Sequence, residues 1–157
     1  MDSMLTEVEL VDAESEHFLG TARIDLATLN FDHPAFRAEH RTLSTRNVAR
    51  IRKVYELEGC WRTEDENFIS ALVDRGDFEW AASPIDRAVW AQLRQRPIPD
   101  AVPHAIPFLD LSSVDCLCGL HRVEAAREHL DENDRWWTVK LFSKGGFHAS
   151  WRRQRAD

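Results

Sequence analysis

Residues Val114–Phe142, VDCLCGLHRVEAAREHLDENDRWWTVKLF, decide how this chain is read. A short apolar strand leads to one glycine, a His-Arg pair opens a helix, and a second strand follows. From Asp115 to Gly119 the period of two puts Cys116 and Cys118 on one strand face and Leu117 on the other. Gly119 permits a turn that a side chain would obstruct. From Leu120 the spacing is helical: Val123, Ala126 and Leu130 share a buried stripe, while Glu124, Arg127, Glu128 and Asp131 point outward. His121 and Arg122 then fall in the first helical turn, where the helix dipole disfavours cations. Two basic residues beside unpaired backbone N–H groups point to an anion.

The motif Gly119-Leu120-His121-Arg122, followed by Ala125-Ala126, resembles the signature of the ParB/sulfiredoxin superfamily: a strand, a G-x-[RH]-R turn and an alanine-bearing helix. It most resembles the ParB-like domain of large uncharacterised fungal proteins. Arg41–Arg62, RTLSTRNVARIRKVYELEGCWR, and the Arg135-Trp136-Trp137 strand opening extend that likeness to roughly two thirds of the chain. The resemblance implies an α+β fold, a compact ParB/sulfiredoxin-like domain with a small mixed sheet and several packed helices. It further implies a nucleotide phosphate, of ATP or CTP with Mg²⁺, held at the strand-glycine-helix turn by Gly119, His121 and Arg122.

Arg41 corresponds to an arginine between the first strand and first helix that approaches the ligand in ParB-like folds, with Arg46 and Arg50 behind it. A surface or salt-bridged arginine is the alternative for Arg41. Sulfiredoxin-like enzymes carry a nucleophilic cysteine directly after the motif glycine, and nucleotide-hydrolysing ParB proteins a glutamate. Leu120 stands there in this chain. That argues against a sulfiredoxin-type reductase and transfers no catalytic residue, so NTPase or phosphotransferase activity stays open while binding is expected.

The chain has 157 residues with 43% hydrophobic content and six tryptophans, enough to bury a core as one domain spanning 1–157. Its net charge of −7 argues against a surface that binds nucleic acid all over. The charge is uneven: Met1–Asp25 holds seven acids and one arginine, whereas Arg37–Arg62 holds seven basic residues and three acids. That basic island is either a solvated helix face or a polyanion patch. The absence of a secretory leader or membrane-length apolar run fits a reducing intracellular compartment, nuclear or cytoplasmic, with no membrane partner.

Cys60, Cys116, Cys118 and His121 could be assembled into a metal site only with non-standard zinc spacing, and cysteine as a small buried hydrophobe is the commoner role. No metal is therefore expected.

Elsewhere, Glu7–Val11 and Arg23–Leu26 read as short strands. Asn47–Leu57 reads as a helix with the stripe Val48, Ile51 and Val54 or Tyr55. Thr63 and Glu66 form a capping-box signature for a helix through Phe68, Ala71 and Leu72, ending near Gly76. Ser83-Pro84 reads as the cap and first position of another helix carrying Ile85, Val89 and Leu93. Pro97–Pro107, with four of the six prolines, is an extended connector. Ile106–Leu111 reads as a buried strand, and in Trp136–Phe142 the residues Trp137, Val139 and Leu141 share a face. The tryptophan pair reads as packing rather than a base-stacking platform, and the segment 145–157 as a loosely structured tail.

Two functions of different class follow: a nucleotide-binding domain, and a non-catalytic module that keeps the fold and binds a protein partner. Direct DNA binding or cleavage has least support, because no helix-turn-helix follows Phe142 and no carboxylate pattern matches a metal-dependent nuclease.

Overall fold

The computed structural model describes residues 17–32, 42–94 and 106–144. The strand expected at Glu7–Val11, Arg41, most of the proline-rich connector and the tail from Gly145 lie outside them.

Five strands form one mixed sheet: β1 (Phe18–Asp25), β2 (Leu29–Asn30), β3 (Ile69–Val73), β4 (Val114–Cys116) and β5 (Trp136–Ser143), in the order β1-β5-β3-β4-β2. β5 runs antiparallel to β1 and parallel to β3, β3 is antiparallel to β4, and β4 is parallel to β2. The interior place of β5 is written in its side chains. Trp137, Val139 and Leu141 on one face and Thr138 on the other are all fully buried, as expected of a strand covered on both faces. Burying each of the large apolar ones is worth about 1.5–3 kcal/mol, well above any difference in strand propensity.

Among the described residues four helices complete the fold. α1 (Thr45–Glu58) starts at Ser44, whose Oγ accepts the Asn47 N–H at 3.2 Å, and ends at Gly59, whose N–H bonds the Tyr55 carbonyl at 2.8 Å. Val48 and Tyr55 are its buried residues, so of the two expected alternatives it is Tyr55 that enters the core while Val54 stays outside. α2 (Arg75–Ala82) and α3 (Arg87–Leu93) are capped by Asp74 and Asp86, whose carboxylates accept the N–H groups of Asp77 and Ala88. α3 packs on β1, with Trp90 filling the space where a side chain at residue 20 would stand. α4 (Leu120–His129) packs along α1 and buries Val123, Ala125 and Ala126. The α1 face reaches the sheet where the Tyr55 and Trp137 rings meet, 6.1 Å between centroids.

The architecture is thus α+β, a mixed sheet with packed helices. Four local expectations are corrected. Residues 69–73 are β3 rather than helix, because Phe68, Ala71 and Leu72 mimic helical spacing while Ile69, Ala71 and Val73 are the residues that enter the core together. The third helix starts at Asp86-Arg87, and Ser83 instead closes α2 by donating its hydroxyl to the Trp80 carbonyl at 2.8 Å. Ile106–Leu111 makes one isolated bridge, Phe108 to Arg23, rather than a strand, although Ile106, Leu109 and Leu111 are buried. β4 stops at Cys116, so Cys118 lies beyond it in the turn. Among the described residues three helices precede the motif, and α1 alone of them stands where the spacing put it.

Candidate functional site

The turn from β4 into α4 is held on both sides. Leu117 donates its N–H to the Ser70 carbonyl at 2.9 Å, extending the contact between this chain segment and β3. The side chain of Leu117 joins Phe18, Leu72 and Phe142 in an apolar cluster. Gly119 then adopts φ 92° in the left-handed region and serves as the N-terminal cap residue of α4 without a side-chain bond. Two constraints require glycine here. A Cβ would be strained at that φ, and it would also lie 2.8 Å from Ile69 Cγ1. The first bond of the helix is Val123 N–H to the Gly119 carbonyl. The N–H groups of Leu120, His121 and Arg122 precede it and have no intrahelical acceptor.

The two basic side chains of the motif diverge. His121 reaches α1, where its Nε2 accepts the backbone N–H of Ser44 at 3.1 Å. A backbone amide is only a donor, so Nε2 carries the lone pair in this contact and the proton sits on Nδ1. His121 is here a staple between α4 and the start of α1. Arg122 runs back over the turn. Its Nη1 donates to the Asn67 carbonyl at 2.9 Å, and its Nη2 lies 3.9 Å from Cys118 Sγ. The Arg122 carbonyl accepts the Tyr55 hydroxyl at 3.2 Å. Among the described residues no carboxylate lies within ion-pair distance of the Arg122 guanidinium, so its charge is uncompensated there and several of its five donors stay unspent.

Arg122 also lines a pocket of about 230 Å³ with Ile51, Tyr55, Cys60, Trp61 and Asn67. Burial pushes the Tyr55 hydroxyl far above its ordinary value, with Cys60 adding to the rise and Arg122 opposing it. The phenol therefore stays protonated and keeps its bond to Arg122. Burial likewise raises the Cys60 thiol, against the pull of Arg62, so Cys60 is not an activated nucleophile. Cys116 is buried and raised still more strongly by the same cause. The three cysteines are free, and among the described residues no three His, Cys, Asp or Glu side chains gather where they could hold a metal ion.

Three residues of the basic island, Arg50, Arg52 and Arg62, are paired within the fold. Arg52 faces Glu128 at 3.2 Å and Glu56 at 3.8 Å, Arg50 donates to Asn47 Oδ1 at 2.9 Å, and Arg62 meets Asp134 at 2.9 Å while lying 3.6 Å over the Trp136 ring. These contacts favour a solvated, internally paired helix face over a polyanion patch. Trp137 is fully buried with its Nε1 on the Asn67 carbonyl at 2.9 Å, which is the packing role its position suggests.

A family model described as "Protein of unknown function (DUF3723) N-terminal domain" matches residues 17–156. The chain belongs to this family. The match covers every element of the fold, so the β4–Gly119–α4 turn and the pocket beside it are parts of the DUF3723 N-terminal domain itself. The comparisons with curated proteins and with solved structures gave no match. No helix among the described residues of this DUF3723 domain is long and apolar enough to cross a membrane.

Of the expected site residues, Gly119, His121 and Arg122 lie together at the turn, with His121 directed to α1 and Arg122 to the pocket. Trp61, Tyr55 and Asn67 were not legible as site residues. Their one signal is that an amphipathic helix ends in Gly59-Cys60-Trp61-Arg62, an aromatic residue shortly after a helix-terminating glycine.

Proposed function

We propose that the domain binds the phosphates of a nucleotide, ATP or CTP with Mg²⁺, at the turn from β4 into α4, as a ParB/sulfiredoxin-type site. The observation that carries this is the Arg122 guanidinium: partly buried, folded back to Gly119 at the start of α4, and without a carboxylate partner among the described residues. An oxyanion there would take charge-assisted hydrogen bonds from Arg122 and the N–H groups of the first turn. With His121 turned to Ser44, Arg122 and the helix terminus supply the positive potential. Mg²⁺ suits a site of this kind because it keeps most of its waters and is bound mainly through the phosphate oxygens. Leu120 is partly buried against the core and offers neither carboxylate nor thiol, so the site binds without an evident hydrolytic group.

A thermal-shift titration of the domain tests this. ATP or CTP with Mg²⁺ at a hundred times its Kd stabilises the folded state by about 2.7 kcal/mol, which raises Tm by several degrees for a domain of this size. Arg122→Ala removes the shift. No shift with any nucleotide refutes the proposal.

A second reading, a protein-interaction module that keeps the fold without the ligand, is favoured by one observation: both basic motif side chains already have protein partners, Ser44 and Asn67. It expects a correctly folded Arg122→Ala variant to capture the same proteins as the unmodified domain.

A further inference from the structure

Trp61 is the one non-glycine residue with positive φ among the described residues, at 53°, and it is 53% exposed. Both properties are costly and neither serves the core. A bulky residue in the left-handed region stores about 1 kcal/mol or more of strain, and such strain concentrates at ligand clamps. The loop enforces the conformation. The Trp61 carbonyl accepts the Glu64 N–H at 3.1 Å and Asn67 Nδ2 at 3.2 Å, and the neighbouring Arg62 is fixed to the Asp134 and Trp136 carbonyls. The loop therefore holds the Trp61 backbone in place and sets the residue at the rim of the pocket that Arg122 closes.

That pocket and the motif turn share one side chain. Arg122 Nη2 lies 3.6 Å from where a Cβ on Gly119 would stand, while Nη1 bonds Asn67, another residue lining the pocket. At about 230 Å³ the pocket is below the size that encloses a whole drug-sized ligand and fits a single ring system. Resting on the nucleotide reading above, we propose that the pocket between Trp61 and Arg122 takes the base ring of the nucleotide whose phosphates sit at Gly119–Arg122, with the Trp61 indole as its stacking face and Ile51 and Val54 as its apolar wall.

Most of the other polar groups that line the pocket are already engaged within the fold. The Asn67 carbonyl already accepts two donors, Asn67 Nδ2 is bonded to Trp61, and the Tyr55 hydroxyl is bonded to Arg122. Stacking without edge recognition accepts every base, since each has a π-face. Stacking on Trp61 is therefore the base contact that purine and pyrimidine nucleotides share.

The test is calorimetric titration of the domain with ATP, CTP, inorganic tripolyphosphate and adenosine, the phosphates with Mg²⁺, repeated on Trp61→Gly and Trp61→Phe. Glycine relieves the strain at φ 53° while removing the ring, so Trp61→Gly should lose affinity for ATP and CTP by about tenfold or more without the fall in Tm that loss of a structural residue brings. Trp61→Phe should keep most of the affinity, and tripolyphosphate should bind all three proteins equally and more weakly than the nucleotides. Tripolyphosphate binding as tightly as ATP overturns the ring subsite and leaves the phosphate site standing. Adenosine binding as tightly as ATP, with no binding of tripolyphosphate, does the reverse. Binding of none of the four overturns both. The ligand series on the unmodified domain decides the matter even where a Trp61 variant fails to fold.

Discussion

Arg122 and Trp137 donate to the same carbonyl oxygen, that of Asn67, each at 2.9 Å. One donor comes from the first turn of α4 and the other from β5, so a single acceptor at the end of the 65–67 turn ties the motif helix to the centre of the sheet. A carbonyl has two lone pairs, and either donor alone keeps it satisfied. Arg122→Met and Trp137→Phe should each cost roughly 1–2 kcal/mol, the ordinary net worth of one hydrogen bond with some lost packing. The double variant leaves the Asn67 carbonyl without either donor and should exceed the sum by about 1 kcal/mol. Urea denaturation of the four proteins measures this coupling, and strict additivity would show that the shared acceptor is not a joint.

Replacing Gly119 by alanine combines a left-handed backbone position with a Cβ 2.8 Å from Ile69 Cγ1. The conformational part costs about 1 kcal/mol and the overlap with a fully buried isoleucine adds about 1–3 kcal/mol. Gly119→Ala should therefore lower stability by about 2–4 kcal/mol in chemical denaturation. Because the overlap is specific, Ile69→Ala should be less harmful in the Gly119→Ala background than in the unmodified chain.

Gly119 also marks how far the sequence could be read. The segment from β4 through α4 to β5 is legible because the period changes from two to 3.6 across one glycine, a pattern that suits a strand, a turn and a helix and little else. The strand at 69–73 is hidden in the sequence because FISALV is apolar at every position but Ser70, and such a run carries little period by which an interior strand differs from a buried helix. Thr63 and Glu66 then supplied a capping-box pattern for a helix that does not exist there. In the site, the left-handed turn at Gly119 is implied by residue type, whereas the destinations of the His121 and Arg122 side chains depend on what α1 and the 65–67 turn bring alongside. Trp61 was silent for a related reason: positive φ in a tryptophan follows from the hydrogen bonds of its loop, and residue type argues against it.

His121 should act on stability through Ser44. With its acceptor removed in His121→Ala, the Ser44 N–H at the start of α1 is left without its partner, at a cost of about 1 kcal/mol. His121→Gln offers a carbonyl oxygen within similar reach and should recover part of that loss, whereas His121→Lys presents only donors and should not. Amide hydrogen exchange at Ser44 reports this directly: protection should fall in the alanine and lysine variants and persist in the glutamine variant. Unchanged protection in all three would mean that the imidazole does not hold this amide.

Stability should fall on the alkaline side, and the sign follows from which state keeps its protons. Burial raises Cys116 well above its ordinary 9.0 and Tyr55 well above its ordinary 10.0. The unfolded chain releases these protons from about pH 9 upward while the folded chain retains them, so the unfolded state binds fewer protons and stability declines as pH rises. The contribution is fully present below about pH 9 and is lost at about 1.4 kcal/mol per pH unit for each group once the pH exceeds its unfolded value. Unfolding free energies from denaturation at about pH 8 and about pH 10.5 should therefore differ by about 2 kcal/mol from Cys116 alone, with a further part from Tyr55 above about pH 10. Cys116→Ala and Tyr55→Phe, although less stable at about pH 8, should each show a shallower alkaline slope, because the titrating group is gone from both states. A slope unchanged in both variants would assign the alkaline loss to other groups and undo the link between burial at Cys116 and Tyr55 and the pH dependence of the fold.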